Sequence, residues 1–248
     1  MLQATIEAEP LSALLAPTAA IVDECRVQFS PEGVSIRAAD PAVVATVDAS
    51  LAPEAFETYE TDGTVVGVTL ERLMDVTAAV DAGDVIDLAI DDDGTHLRID
   101  AGSLSYTLGL IDTDSIRQEP DLEGQIDFPA SVAMDASMFD RGVRAAAMVT
   151  DHLRLELDDG GTTFTMRATG DTDEATLSPA DVDVSANGTN AVGSLFSLEY
   201  LQGMNRAIPG AVNLTIEFGE AIPARLSYAV DDHGPAVTYL LAPRLQQQ

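Results

Sequence analysis

The 248-residue chain carries 42 acidic and 12 basic residues, a formal net charge of −30, and is 46% hydrophobic. That apolar fraction is enough to bury a core and excludes wholesale disorder, and no stretch approaches the roughly 20 consecutive apolar residues of a membrane helix. A single cysteine, Cys25, excludes an internal disulfide and a cysteine-based zinc centre.

Met1-Leu2-Gln3-Ala4-Thr5-Ile6 has no basic start followed by an apolar run, so a signal peptide is not expected and a cytoplasmic location is. A first helix is predicted from Pro10, with Leu11, Leu14, Leu15 and Val22 on one side. A hairpin follows, with Arg26–Phe29 and Val34–Ile36 around Ser30-Pro31-Glu32-Gly33. The second helix carries Leu70, Leu73, Met74 and Thr77, and a second hairpin joins Ile86–Ile90 to His96–Ile99 through Asp91-Asp92-Asp93-Gly94. From about Ile111 to Ala130 sustained periodicity is lost, and Pro120, Gly124 and Pro129 mark a linker. A third helix carries Met138, Phe139, Val143 and Ala146; its hairpin joins Leu153–Leu157 to Thr163–Met166 through Asp158-Asp159-Gly160-Gly161. The fourth helix carries Leu198, Leu201 and Met204 and stops at Pro209-Gly210. Its hairpin joins Leu226–Val230 to Val237–Leu240 through Asp231-Asp232-His233-Gly234. The apolar period is 3.6 in the helices and two in the strands, and each turn ends in glycine, which reaches the left-handed conformations of tight hairpins.

The chain also repeats itself. Val68–Met74 matches Phe196–Gln202 at an offset of 198 − 70 = 128. Ile36-Arg37-Ala38 recurs as Met166-Arg167-Ala168, and Ala45-Thr46-Val47 as Ala175-Thr176-Leu177, both at an offset of 130. The architecture this implies is α+β: two similar domains, each of two helix-plus-hairpin units, with the helices side by side on one face of the strands. The expected boundaries are residues 1–111, a linker at 112–130, and residues 131–248.

Every basic residue is arginine, and the acids are scattered among apolar runs, not gathered in a tail. This composition fits a halophilic cytoplasm, where carboxylates hold hydration and salt screens self-repulsion. It disfavours an ordinary DNA-binding domain, which grips phosphate through a basic patch. In molar salt the Debye length falls to about 3 Å, so a protein is retained on DNA better by topology than by charge, and an encircling protein remains possible.

Several segments, in order from end to end, resemble the sliding clamps of archaea and eukaryotes, the proliferating-cell-nuclear-antigen (PCNA) family. Ser35-Ile36-Arg37-Ala38-Ala39-Asp40 resembles the lead into the family's partner-binding loop. Phe56-Glu57-Thr58-Tyr59 is similar to its Phe-x-x-Tyr, and Gly67-Val68-Thr69-Leu70 to its approach to the second helix. Tyr239-Leu240-Leu241-Ala242-Pro243-Arg244 resembles its Tyr-Leu-Ala-Pro-Lys ending, and the acidic, lysine-free composition looks like a haloarchaeal member.

The resemblance implies a DNA clamp fold that assembles as a ring-shaped homotrimer around duplex DNA, without sequence preference, cofactor, resident metal or catalytic residue. It implies service in DNA replication and repair as a processivity factor, nucleoid-associated and not membrane-bound. Expected partners are DNA polymerase, the clamp loader, a flap nuclease and ligase, docking through a short motif with a Gln, an aliphatic residue and two aromatics. The partner-binding residues carried over are Ala39, Val43, Val44, Thr46, Ile116, Pro223, Leu240, Ala242 and Pro243. Arg117 and Glu119 stand where apolar residues are common in the family. Val43, Val44 and Leu240 also admit a plainer reading as core. The DNA-facing arginines implied are Arg72, Arg141, Arg144 and Arg206, and pairing with Asp75 and Asp140 is the plainer alternative. The subunit interface implied sets Tyr106, Leu108 and Leu110 from one copy against Thr172, Glu174 and Thr176 from the next.

Two other functions stay open at this level. One is a checkpoint-type clamp paralogue in a mixed ring. The other is an acidic metal-dependent hydrolase built on Asp91-Asp92-Asp93. His96, His152 and His233 have no spacing with acids or Cys25 that suggests a metal site, and Gly160-Gly161 lacks the lysine of a phosphate loop.

Overall fold

The computed structural model describes residues 1–117, 126–188, 190–230 and 233–244. The chain forms two compact units: unit 1 is Met1–Asp40, Val47–Pro120 and Ala229–Val237, and unit 2 is Pro41–Thr46, Asp121–Tyr228 and Thr238–Gln248.

Up to residue 117 the elements are β1 (Leu2–Glu7), α1 (Ala8–Ala19), β2 (Glu24–Ser30), β3 (Gly33–Ala39), β4 (Ala45–Leu51), β5 (Thr58–Thr61), β6 (Thr64–Thr69), α2 (Leu70–Ala78), β7 (Val85–Ile90), β8 (His96–Ala101) and β9 (Leu104–Gly109). After the linker come β10 (Ala130–Asp135), α3 (Ala136–Ala147), β11 (His152–Leu157), β12 (Phe164–Thr169), β13 (Glu174–Leu177), β14 (Asp183–Ala186), β15 (Val192–Ser197), α4 (Leu198–Ala207), β16 (Asn213–Phe218), β17 (Ala224–Ala229) and β18 (Ala236–Leu241). Unit 1 contains a sheet in the order β5-β1-β7-β8-β9 and the run β4-β3-β2-β6; unit 2 repeats the plan with β14-β10-β16-β17-β18 and β13-β12-β11-β15. The expected α+β duplication is therefore the architecture observed.

The repeat holds at the level of single hydrogen bonds. Equivalent elements, such as α1 and α3, start 136 − 8 = 128 residues apart, and α2 and α4 start 198 − 70 = 128 apart. The Ala8 N–H donates to Asp84 O at 2.9 Å, and 128 residues later Ala136 N–H donates to Val212 O at 3.0 Å. Likewise Leu70 N–H donates to Asp23 O and Leu198 N–H to Asp151 O, both at 2.9 Å. The exposed first N–H groups of a helix need acceptors, and these distant carbonyls serve where α1, α2 and α4 have no side-chain cap.

That arrangement corrects the expected start of α1. The helix begins two residues before Pro10 and ends at Ala19, leaving Val22 outside it. Proline is tolerated so early because first-turn N–H groups have no intrahelical partner to lose. Two positions also leave the predicted apolar stripes: Met74 and Met138 are half-exposed, while Val76 and Gly142 are buried in their helices. In each unit the two helices pack on one another, α1 with α2 and α3 with α4. Their buried faces meet the inward residues of the alternating strands, with Leu14, Leu15, Ile36 and Leu70 fully buried in unit 1 and Phe139, Phe164, Phe196 and Phe218 in unit 2. The Phe164 and Phe218 rings lie 5.9 Å apart at a tilt of 54°, a favourable aromatic geometry.

The hairpin glycines do not all serve the same purpose. Gly94 and Gly161 have φ of 67° and 69°, in the left-handed region. Gly234 is needed for another reason: a Cβ there would run into the Val230 carbonyl. Asp231 and Asp232 of that turn lie outside the described residues.

Candidate partner-binding, ring-edge and helix surfaces

In unit 2 the C-terminal strand sets one surface. Alternation along β18 buries Tyr239 and Leu241 and leaves Leu240 half-buried on the other side. Ala242 N–H then donates to Val44 O at 2.8 Å, and Pro243, with no N–H, ends the ladder. Arg244 N–H turns to Leu195 O at 2.7 Å, and its guanidinium reaches Asp151 Oδ2 at 3.0 Å. Hydrogen bonds from His152 and then Arg244 hold the Asp151 carboxyl at about 2. Val44, Thr46, Pro223, Ala242 and Pro243 are each half-exposed, so none is core.

Backbone strain singles out the same region. Among the described residues only Val43, with φ of 56°, and Ala221, with φ of 57°, are non-glycine residues at positive φ. A β-branched residue in that conformation is a genuine outlier, and such strain gathers at binding and switch sites. Val43 also keeps 36% of its surface exposed, and Ala221 lies two residues before Pro223. Ala221 had no sequence signal, since nothing in an alanine announces a left-handed backbone.

In unit 1, Ala39 ends β3 half-exposed. Ile116 behaves otherwise: it is only 6% exposed and packs over Gly67, where an added Cβ would come within 2.7 Å of its Cδ1. Arg26 on β2 donates from Nε and Nη2 to Thr113 O at 3.0 and 2.6 Å, and from Nη2 to Ile116 O at 2.8 Å. Glu119 lies outside the described residues.

The helix arginines all point to solvent. Arg144 pairs with Asp140 at 2.7 Å one turn away, and Asp140 also accepts from Asn205 Nδ2 at 2.9 Å, joining α3 to α4. Arg141 Nη1 lies 3.8 Å from Met138 Sδ. Arg72 and Arg206 form no ion pair among the described residues.

Each unit ends in an open strand. β9 lies at one edge of the five-stranded sheet, and β13 at one edge of the four-stranded sheet. On and just after β9, Leu108 is buried while Tyr106 and Leu110 are half-exposed. Thr172, Glu174 and Thr176 are exposed, with Thr172 in the turn ahead of β13. Arg167 bridges Glu174 at 2.5 Å and Glu156 at 3.2 Å, and Arg154 joins Glu156 at 2.6 Å, so an ion ladder crosses β11, β12 and β13.

The aspartate turns have a structural use. Asp91 accepts the N–H groups of Thr95 at 2.7 Å and His96 at 3.0 Å, closing its own hairpin. These bonds, led by that from His96, hold its carboxyl at about 2. Asp158 does the same for Thr162 and Thr163, both at 2.8 Å. Among the described residues no three His, Cys, Asp or Glu side chains converge on a metal position. Burial pushes the Cys25 thiol up to about 12, far from the thiolate a nucleophile needs.

Family models of the proliferating cell nuclear antigen match almost end to end, the N-terminal domain over residues 1–113 and the C-terminal domain over residues 123–244. The chain belongs to the proliferating cell nuclear antigen family. Among its relatives, the DNA polymerase sliding clamp of Halobacterium salinarum is 44% identical over 99% of each chain. That of Haloarcula marismortui is 42% identical over 100% of each. Among solved structures, PCNA from A. fulgidus, bound to the C-terminal region of FEN-1, superimposes with a TM-score of 0.90 at 29% identity over 100% of both chains. PCNA from Thermococcus kodakaraensis shares the fold, with a TM-score of 0.87 at 24% identity over 98% of this chain and 100% of that one.

Proposed function

We propose that this chain is a DNA sliding clamp, a non-catalytic processivity factor that closes as a homotrimer around duplex DNA and tethers replication and repair enzymes to it. The reading is carried by two different strands left at sheet edges, β9 in unit 1 and β13 in unit 2, in a chain belonging to this family. Two different edges on one chain make a head-to-tail interface, which closes into a ring when the rotation permits. Pairing them also removes the unpaired N–H and C=O groups that make open edges prone to aggregate. Residues 1–111 and 131–248 are the two domains of each subunit in this reading, and 112–130 the linker.

Retention on DNA is mechanical. With a net charge of −30 and with Arg144 already paired to Asp140, the helices supply little to bind phosphate. Electrostatic binding falls steeply with salt in any case. A closed ring comes off only when a protein interface opens, so a bound polymerase stays with its template. Loading falls to an external ATP-driven loader. Polymerase, loader, flap nuclease and ligase dock through their short aromatic motif on Val43, Val44, Thr46, Pro223, Leu240, Ala242 and Pro243, with Ala39 and Ile116 as further contacts. The relative from A. fulgidus that carries the C-terminal region of FEN-1 supports this assignment.

The test is residence on DNA in molar KCl. After loading on closed circular DNA, the protein is retained through gel filtration, and cutting the circle once releases it. Equal retention on circular and linear DNA, or a native mass that stays at one subunit at every salt concentration, refutes the ring.

A further inference from the structure

We infer that Arg26 is a positioning residue for partner docking, acting through the segment Ile111–Ile116; the inference rests on the partner-site reading above. Two independent features on adjacent strands hold that segment. On β2, the Arg26 guanidinium grips the carbonyls of Thr113 and Ile116 with three hydrogen bonds of 2.6 to 3.0 Å. On β6, Gly67 accepts the Ile111 N–H at 2.8 Å, and its missing side chain leaves the space that Ile111 O and Ile116 Cδ1 occupy. Arg26 pairs with Gly67 in the β2–β6 register, so both holds act at one level of the sheet.

The chemistry explains why arginine stands there. The carbonyls of Thr113 and Ile116 lie at the end of a short turn, where Ile116 N–H already closes back on Thr113 O at 3.3 Å. The planar guanidinium sets two nitrogens on the turn at once, Nε and Nη2 on Thr113 O and Nη2 on Ile116 O, a fixed fork that a single ammonium nitrogen cannot reproduce. Among the described residues no acid forms an ion pair with Arg26, and its bonds are to neutral carbonyls in a part-buried position. Brine screens exposed ion pairs strongly and part-buried contacts much less, so this anchor keeps its hold in conditions that weaken an exposed pair such as Arg37–Asp48. The anchor fixes where Ile116 stands when a partner arrives. A ligand's apparent affinity falls in proportion to the fraction of protein in the competent arrangement.

The experiment uses the full chain in molar KCl and a synthetic peptide carrying a Gln, an aliphatic residue and two adjacent aromatics. Arg26→Gln weakens peptide binding about tenfold, as expected if the anchored arrangement falls to about a tenth of the population. It speeds hydrogen exchange at Ile111 and Ile116, and leaves native mass and the exchange of core amides such as Leu155 unchanged. Arg26→Lys, which keeps the charge but loses the Nε donor and the rigid fork, falls between the two in both readouts. If wild type binds the peptide and Arg26→Gln binds it within twofold of wild type while exchange accelerates, the anchor is only structural and the inference is overturned. Unchanged exchange in Arg26→Gln overturns the anchor itself. If wild type fails to bind the peptide, the partner-site reading fails and the docking role of Arg26 falls with it; the exchange data still report on the anchor.

Discussion

Replacing Gly67 by alanine tests how the segment after β9 is held. Gly67 has ordinary strand geometry, so alanine brings no backbone strain; the conflict is steric. An added Cβ lies 2.5 Å from Ile111 O, 3.1 Å from Ile111 C and 2.7 Å from Ile116 Cδ1. Ile116 Cδ1 can swing aside, but a backbone oxygen cannot. An ordinary carbon–oxygen contact is about 3.4 Å, so the chain at Ile111 must recede by about 0.9 Å. The 2.8 Å bond from Ile111 N–H to Gly67 O does not survive that shift. Losing it costs about 1 kcal/mol. Exposing Ile116 costs up to about 1.5–3 kcal/mol, and the reduced freedom of the unfolded chain returns about 0.4–1 kcal/mol. The expected net loss is about 2–3 kcal/mol. Urea denaturation in constant high salt reads this as a midpoint lowered by about 1 M, at a slope of about 2–3 kcal/mol/M, together with faster exchange of the Ile111 amide. A midpoint within about 0.2 M of wild type, with Ile111 still protected, refutes the packing argument.

Phe139, fully buried on α3, loses about 3–5 kcal/mol on replacement by alanine; thermal unfolding tracked through unit 2 checks this, and a shift equivalent to less than about 1 kcal/mol contradicts the burial. The acid limb of stability follows from Asp91 and Asp151, whose carboxyls are held at about 2. Their native values lie below the unfolded value of about 3.9, so their contribution is complete above pH about 4 and is lost as pH falls toward 2. Asp91→Asn flattens part of that limb in an acid titration at fixed salt; an unchanged profile removes the Asp91 hairpin from the account. Cys25, buried and pushed up to about 12, reacts with a thiol reagent only as fast as the native protein opens. Modification at the rate of a free thiol in folded protein counts against its burial.

The sequence carried the local grammar. Alternation at Leu153–Leu157 and the apolar spacing Leu198–Leu201–Met204 reflect periodicities fixed by strand and helix geometry, and each lies within a few residues. The duplication was legible for the same reason, since equal segments fold into equal units, and a 128-residue offset in letters reappears as equivalent element starts (136 − 8 = 128). The apolar ending Tyr239–Pro243 likewise lies in one short segment. Aspartate turns were legible as turns; that Asp91 and Asp158 close them by accepting N–H groups four and five residues on appeared only in the structure.

What the tertiary structure decided were pairings between distant parts of the chain. The start of α1 depends on carbonyls at Asp84 and Ala82 that take the Ala8 and Glu9 N–H groups. The anchor of Ile111–Ile116 depends on Arg26 and Gly67, each unremarkable in its own neighbourhood. Left-handed backbone at Val43 and Ala221 is imposed by surroundings, against the preference of both residues. Which strands end as open edges is likewise a property of sheet order. A sequence fixes the preferences of each segment over a few residues; closing distances of 80 or 90 residues, as from Arg26 to Ile116, is settled by the packing of the whole domain, because only there does each buried donor and acceptor find its partner.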